Sequence, residues 1–264
     1  MTIAQPIRGG FWSRFAPLFG AGLVGVAGIV PVLSQQLANL PAGLPLSPAA
    51  LAAATLVQTT VLVAGATALG AALAPRVGLR SHLAERAAGG PPVLPALAAE
   101  APLAAGLGLV CAAIIVGLDL ALRPLMPPAF LGAAQASAGG LGALVSGLLY
   151  GGIAEELLMR WGVMSLLAWA GWRLGQRGVG RPAPAVLWLA ILGAALLFGL
   201  GHLPAAAALA PLSLAFVLRT VLLNSVAGIA AGWLFWRHSL EAAMLAHMMV
   251  HVGFAVARLL GVGV

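Results

Sequence analysis

The sequence predicts an all-α, polytopic bundle of about seven or eight membrane-spanning helices, and three observations carry that prediction. The first is composition. Of 264 residues, 62% are hydrophobic and 7% charged, and the mean hydropathy is +1.06. A soluble domain carries charge on about a quarter of its residues. The second is the recurrence of apolar runs of spanning length from one end of the chain to the other. They lack the every-second-residue alternation of a lipid-facing β-barrel. The third is the placement of the basic residues. All 13 are arginine, and most fall in the breaks between apolar runs. There, positive charge sets topology, so a pI near 11.7 is not read as a nucleic-acid footprint.

The runs follow in order. The first, about 16–37, comes after Arg8 and Arg14 and exceeds the roughly 7–15 apolar residues of a signal peptide, so it reads as a retained span. The second is about 48–74. A break with Arg76, Arg80, Arg86 and "GGPP" follows, part of which suits an interfacial helix. The third, about 101–122, is closed by "RPLMPP". The fourth begins near Ala138 and stays apolar to about Trp172. Its length, about 52 Å as one helix against about 30 Å of hydrocarbon, implies a tilt, a break near Gly162 or two elements. After "RLGQRGVGRPAP" come runs at about 185–203, 211–236 and 239–260.

With the N-terminus cytoplasmic, Arg8, Arg14, Arg76, Arg80, Arg86, Arg173, Arg177, Arg181 and Arg237 lie inside, and the outer loops hold only Arg123. The chain reads as a single membrane domain, residues 1–264, with N-terminal spans over 16–135 and a core over 138–255. Its expected location is an integral position in a membrane, a bacterial inner membrane on the Ala, Gly, Arg and Pro bias. The single Cys111 has no intrachain disulfide partner and forms no metal-binding cysteine pattern.

Few polar residues remain inside the spans. Glu155, Glu156 and Arg160 fall in the fourth run, His202 near the end of the fifth, and His247 and His251 in the last. An ionised group at mid-bilayer costs about 2.5–3.5 kcal/mol on insertion scales, so these residues are expected to meet one another or a watered cavity. Glu156 and Arg160 are i,i+4 and pair along one helix face. Glu155, about 100° away, faces elsewhere and is free to act as a base. His247 and His251 are also i,i+4. With His202 they offer three imidazoles for zinc, the metal leaving a position for water. In a metal-free version, Glu155 and His202 activate water while His247 and His251 stabilise an oxyanion. Glycine pairs at Gly147 and Gly151, and at Gly228 and Gly232, permit close helix approach. Asp119 is within i,i+4 reach of Arg123 and reads as structural. Arg219 and Arg258 read as snorkelling or locally paired, Asn224 as interhelical glue, and His82 and His238 as loop residues without chemistry.

Three of these motifs together carry a resemblance. "EELLMR" fits EExxxR, "FGLGH" fits FxxxH and "HMMVH" fits HxxxB, where B is usually Asn or Asp. In this order, on successive hydrophobic segments, they resemble the CPBP intramembrane proteases. That family includes CAAX prenyl endopeptidases and bacterial Abi and bacteriocin-associated relatives. The resemblance covers about residues 138–255. It implies Glu155 as the water-activating base, Glu156 and Arg160 as supporting residues, His202 as partner of the base or metal ligand, and His247 as oxyanion or metal residue. His251 departs from the family's Asn or Asp. The implied activity is endoproteolysis of a membrane-associated peptide or protein, with zinc as the candidate cofactor.

Two other functions fit the same residues: a non-catalytic relative that binds a peptide or confers immunity, and a small proton-coupled transporter. One depth mismatch accompanies all of them. On straight helices, Glu155 and His202 lie about 26–32 Å from the cytoplasmic arginine loop, but His247 lies only about 15 Å from Arg237.

Overall fold

A computed structural model describes residues 10–38, 46–136 and 140–262, with side chains 133–136 outside the description; Arg8 and Ala138 also fall outside. Every regular element among the described residues is helical. Seven helical runs are long and apolar enough to cross a membrane. The first, Phe11–Ala38, is α1 (Phe11–Ala27) and α2 (Val30–Ala38), separated at Gly28–Ile29. Gly28 lies against the backbone of Tyr150, and its carbonyl accepts the Ser146 hydroxyl at 2.6 Å. The second run is α3 (Pro48–Leu73), started by a Ser47 cap on the Ala50 N–H. A short helix, α4 (His82–Ala87), occupies the break expected to be interfacial.

The third helix, α5 (Val93–Leu122), starts earlier than the apolar pattern suggests. Glu100 and Pro102 sit inside it, because Glu100 finds partners within the bundle rather than marking a helix end. A further helix, α6 (Pro128–Ala136), precedes the fourth run. That run, Leu141–Gly175, does not break at Gly162, which instead packs on Ala66 of α3. It begins as α7 (Leu141–Ser146), passes through two π-helical segments, Gly147–Glu155 and Leu157–Met164, and ends as α8 (Ser165–Gly175). The i→i+5 turns place more residues in each turn, so the run is shorter than an α-helix of the same length. The remaining spans are α9 (Pro184–Gly201) continued by α10 (Leu203–Ala207), α11 (Leu214–Arg237) and α12 (Leu240–Leu259).

Alternation of the seven spans sets residues 74–92, 175–183 and 237–239 on one face, the arginine-rich face. The segments around 123–136, 207–213 and 259–262 lie on the other. Two polar clusters fasten these faces. On the arginine-rich face, Glu241 at the start of α12 accepts from the Ser81 hydroxyl (2.6 Å) and from the N–H groups of His82 and Leu83 (both 2.9 Å). A carboxylate thereby satisfies the otherwise orphaned donors at the start of α4. The Leu240 N–H donates to the Arg80 carbonyl at 3.1 Å, and Glu100 receives Ser239 and lies 3.1 Å from His82 Nε2. His82, read from sequence as an idle loop residue, is 3% exposed and central to this knot. On the opposite face Asp119 takes Arg123 at 3.1 Å and also Arg219, 100 residues away. Arg219 is therefore paired across helices rather than locally.

Both glycine pairs lie at close helix contacts. Gly228 and Gly232 seat α11 against Ala195 and Ile191 of α9, and Gly147 and Gly151 face α12.

Glu85 beside Nδ1 and Glu100 at Nε2 outweigh the effect of burial and hold His82 above its ordinary value. In Glu85, burial is outweighed by His82 and Arg80, and its carboxyl lies below its ordinary value. A raised imidazole contributes stability that is complete below its unfolded value, near 6.5, and is lost as pH rises through the folded value. Thermal unfolding in detergent should therefore show a stability loss as pH rises above about 6.5 that His82→Gln removes. Glu241→Ala should cost on the order of 2–4 kcal/mol, since it strands buried donors, and a wild-type melting temperature in that variant would contradict the knot's role.

Candidate functional site

The site is assembled where the first π-helical segment, the end of α9 and the middle of α12 meet. Glu156 and Arg160 are the most deeply buried of its groups, at 0% and 1% exposure. Their i,i+4 pairing is present, with Nη1 3.1 Å from Oε1. Arg160 Nη2 donates to the Gly228 carbonyl at 3.0 Å, and its guanidinium lies 5.1 Å from the centroid of the Phe198 ring. One arginine thus touches three spans.

Glu156 pairs with Arg160 and Glu155 faces His202 and His247, but Glu156 meets His247 as well. Both glutamates reach the same imidazole, Glu156 Oε1 lying 2.7 Å from His247 Nδ1 and Glu155 Oε2 3.8 Å from His247 Nε2. Sequence reasoning assumed the angular step of an α-helix. A π-helix takes a smaller step per residue, and the ring spans the remaining distance between its two nitrogens. Glu155 Oε1 lies 4.0 Å from His202 Nε2. Both Glu155 distances exceed a direct hydrogen bond and leave room for a bridging water or substrate oxygen.

His202 sits at the junction of α9 and α10, with Nδ1 2.8 Å from the Phe198 carbonyl four residues earlier. A carbonyl accepts only, so Nδ1 carries the proton and Nε2 turns towards Glu155. The i,i+4 spacing of Phe198 and His202 serves this bond. It also sets the Phe198 ring edge-on to His202 and His247, with centroids 4.6 and 5.9 Å apart. Despite the depth mismatch counted on straight helices, packing brings His247 beside Glu155, and the start of α12 is held in the bundle with Leu240, Ala242 and Ala243 fully buried.

His251 stacks on His247, with ring centroids 5.2 Å apart and planes 12° apart. Gly147 and Gly151 make room for it. A Cβ on Gly151 would lie 2.8 Å from His251 Nε2, and one on Gly147 would meet the ring itself. All the site residues named from sequence are gathered here. The zinc set fits less well. His247 Nδ1 already meets Glu156, and His251 stacks on the His247 ring rather than converging with it. Among the described residues, no group of three or more His, Cys, Asp or Glu side chains is arranged to hold a metal ion.

A cavity of about 1050 Å³ opens from these residues. Glu155, His202, His247 and His251 line it, with apolar walls that include Ile29, Leu223 and Phe254. This volume suits a sizeable ligand. Tyr150, the chain's single tyrosine, also lines it and was missed in sequence; its uniqueness, five residues before Glu155, was the available signal.

A bundle of apolar helices with carboxylates, imidazoles and a buried arginine converging on an internal cavity defines an integral membrane protein with a candidate catalytic centre inside its spans. Comparison with known families makes this specific. Residues 137–253 match the family model described as Rce1-like, type II CAAX prenyl endopeptidase Rce1-like. Over that segment the chain is similar to the family of intramembrane CAAX-type endopeptidases, which supports the CPBP resemblance carried by its three motifs. No curated protein and no solved structure matches the chain.

Two outcomes test this geometry. Arg160→Ala leaves the Glu156 charge buried without its partner and should cost about 3–5 kcal/mol, read as loss of folded protein in detergent. Gly147→Ala should cost about 1–3 kcal/mol by overpacking. Adding His251→Ala should restore the melting temperature, and no rescue would place the glycine's role elsewhere.

Proposed function

We propose that the chain is an intramembrane endopeptidase that hydrolyses a peptide bond of a membrane-associated protein or peptide. The observation that carries this reading is the Glu155 carboxylate, held 4.0 Å from His202 and 3.8 Å from His247 at the inner end of a large cavity. A water between Glu155 and His202 loses its proton to Glu155, and the hydroxide attacks the scissile carbonyl carbon. The former carbonyl oxygen becomes an oxyanion, and collapse of the tetrahedral intermediate breaks the C–N bond as Glu155 returns the proton to the leaving amine.

His247 is the oxyanion donor. Its Nδ1 is spent on Glu156, so Nε2 faces the reacting atoms. With Nδ1 engaged by Glu156, an Nε2–H is the bond that His247 would offer to the oxyanion. His251, stacked behind it, is the supporting residue that replaces the usual Asn or Asp. This route uses no metal. The arginine-rich face is the cytoplasmic one, and the membrane is a bacterial inner membrane.

The test is incubation of detergent-purified protein with a panel of membrane peptides. Glu155→Ala and His202→Ala should each lower cleavage by a factor of about 100 or more, following the usual size of acid–base contributions. Equal cleavage by all three proteins would overturn the reading, and no cleavage of any peptide would favour a non-catalytic, peptide-binding role. Stoichiometric zinc in the pure protein, with activity lost on chelation, would replace the metal-free route.

A further inference from the structure

The cavity runs from Glu155 away from the arginine-rich loops, to a mouth where Asp119 of α5, Leu141 of α7, Ala205 of α10 and Leu259 of α12 line it. Two uncharged polar side chains stand on its wall between that mouth and the reacting centre. Tyr150 is five residues before Glu155, and the i→i+5 turn of the π-helical segment sets it one turn towards the mouth on the face that carries Glu155. Asn224 stands near the middle of α11, one turn to the mouth side of Gly228, whose carbonyl holds Arg160.

The donors on this wall single these two out. Ser146 and Thr220 also line the cavity, but each has one hydroxyl proton and gives it to a backbone carbonyl, Ser146 to Gly28 at 2.6 Å and Thr220 to Phe216 at 2.8 Å. Asn224, expected from sequence to join helices, bonds its own helix instead, Nδ2 donating to the Thr220 carbonyl at 2.8 Å. That occupies one of its two N–H bonds. Among the described residues, the second N–H, the Oδ1 atom and the Tyr150 hydroxyl meet no partner, and both side chains are half-buried rather than sealed. Lipid offers no hydrogen bonds in mid-span, so their partner comes from the cavity.

A peptide in this cavity meets the same demand from its own side. The walls are apolar at Ile29, Leu223 and Phe254, and a main-chain N–H or C=O left unpaired against them costs free energy. A carboxamide with one N–H and its oxygen free is the complement of a peptide group, and the tyrosine hydroxyl adds a second donor. We propose that Asn224 and Tyr150 are substrate-binding residues that hydrogen-bond the main chain of an extended peptide on the mouth side of the scissile bond. That the bound peptide is cleaved rests on the endopeptidase reading, whereas capture of its main chain stands without it.

The test removes the two groups singly and probes the peptide backbone position by position. Tyr150→Phe and Asn224→Leu keep the shape of each side chain and break no contact between helices, so both should melt close to the wild type. With an apolar membrane peptide that the wild type cleaves, each substitution should raise KM by about threefold to tenfold, the range that one lost hydrogen bond gives, with kcat little changed. Esters in place of single peptide bonds remove one N–H of the substrate at a time. At one position the ester should weaken binding to the wild type by a similar factor and to Asn224→Leu not at all, because that bond is already gone. The same comparisons are made as Kd in a Glu155→Gln background with a fluorescent peptide, so that binding is read where nothing is cleaved.

KM or Kd unmoved in either variant, or ester losses that persist in Asn224→Leu, overturns the main-chain site and, where the wild type cleaves, leaves the endopeptidase reading in place; cavity water alone then satisfies the two groups. Binding without cleavage, weakened in both variants, overturns the endopeptidase reading and keeps the main-chain site. No binding of any peptide overturns both.

Discussion

A guanidinium buried to 1% exposure among apolar helices must be paired and hydrogen-bonded to persist, because its charge cannot be abandoned by losing a proton. Arg160 meets that demand with Glu156 on its own helix, the Gly228 carbonyl on α11 and the Phe198 ring on α9. Glu156 in turn reaches His247 on α12. The pair therefore docks three spans onto the fourth. Lipid tails are as apolar as the helices, so the bundle gains little from hydrophobic burial between them and depends on such contacts and on close packing. The reacting groups are held around this pair, which contacts the helices that carry His202 and His247.

The chain's six carboxylates divide the remaining work. Glu85, Glu100 and Glu241 tie α4, α5 and α12 together on the arginine-rich face, and Asp119 joins α5 to α11 on the other. Glu155 alone keeps its carboxylate beyond direct hydrogen-bond distance of the imidazoles beside it while facing the cavity. The knot at Glu241 also bears on the centre: it fixes the start of α12, the helix that carries His247 and His251. A positional error there would be carried six residues down a rigid helix to the reacting imidazole.

Much of the fold was legible because lipid imposes simple rules. Span positions follow from apolar length, and the alternation of faces follows from arginine placement. The legible part of the site was its membership. Glu155, Glu156, Arg160, His202, His247 and His251 stand out because ionisable groups are costly within spans. The glutamates' shared contact with His247 was not legible, because π-helical geometry leaves no pattern in sequence that separates it from an ordinary helix. Nor were the roles of His82, Glu100 and Glu241. Their partners lie up to 160 residues away, and near a span end each reads as an ordinary polar residue.

By itself, the sequence determined an integral helical bundle, its seven apolar runs, the residues that cannot face lipid and the motifs that carry the family resemblance over residues 137–253. These are local properties, decided by the transfer of single residues or single helices from water. The tertiary structure alone decided which nitrogen meets which carboxylate, how His251 fits on two glycines, and which face the cavity opens towards. Those outcomes depend on helix winding, depth and mutual packing, which are settled only when buried polar groups on different spans find one another.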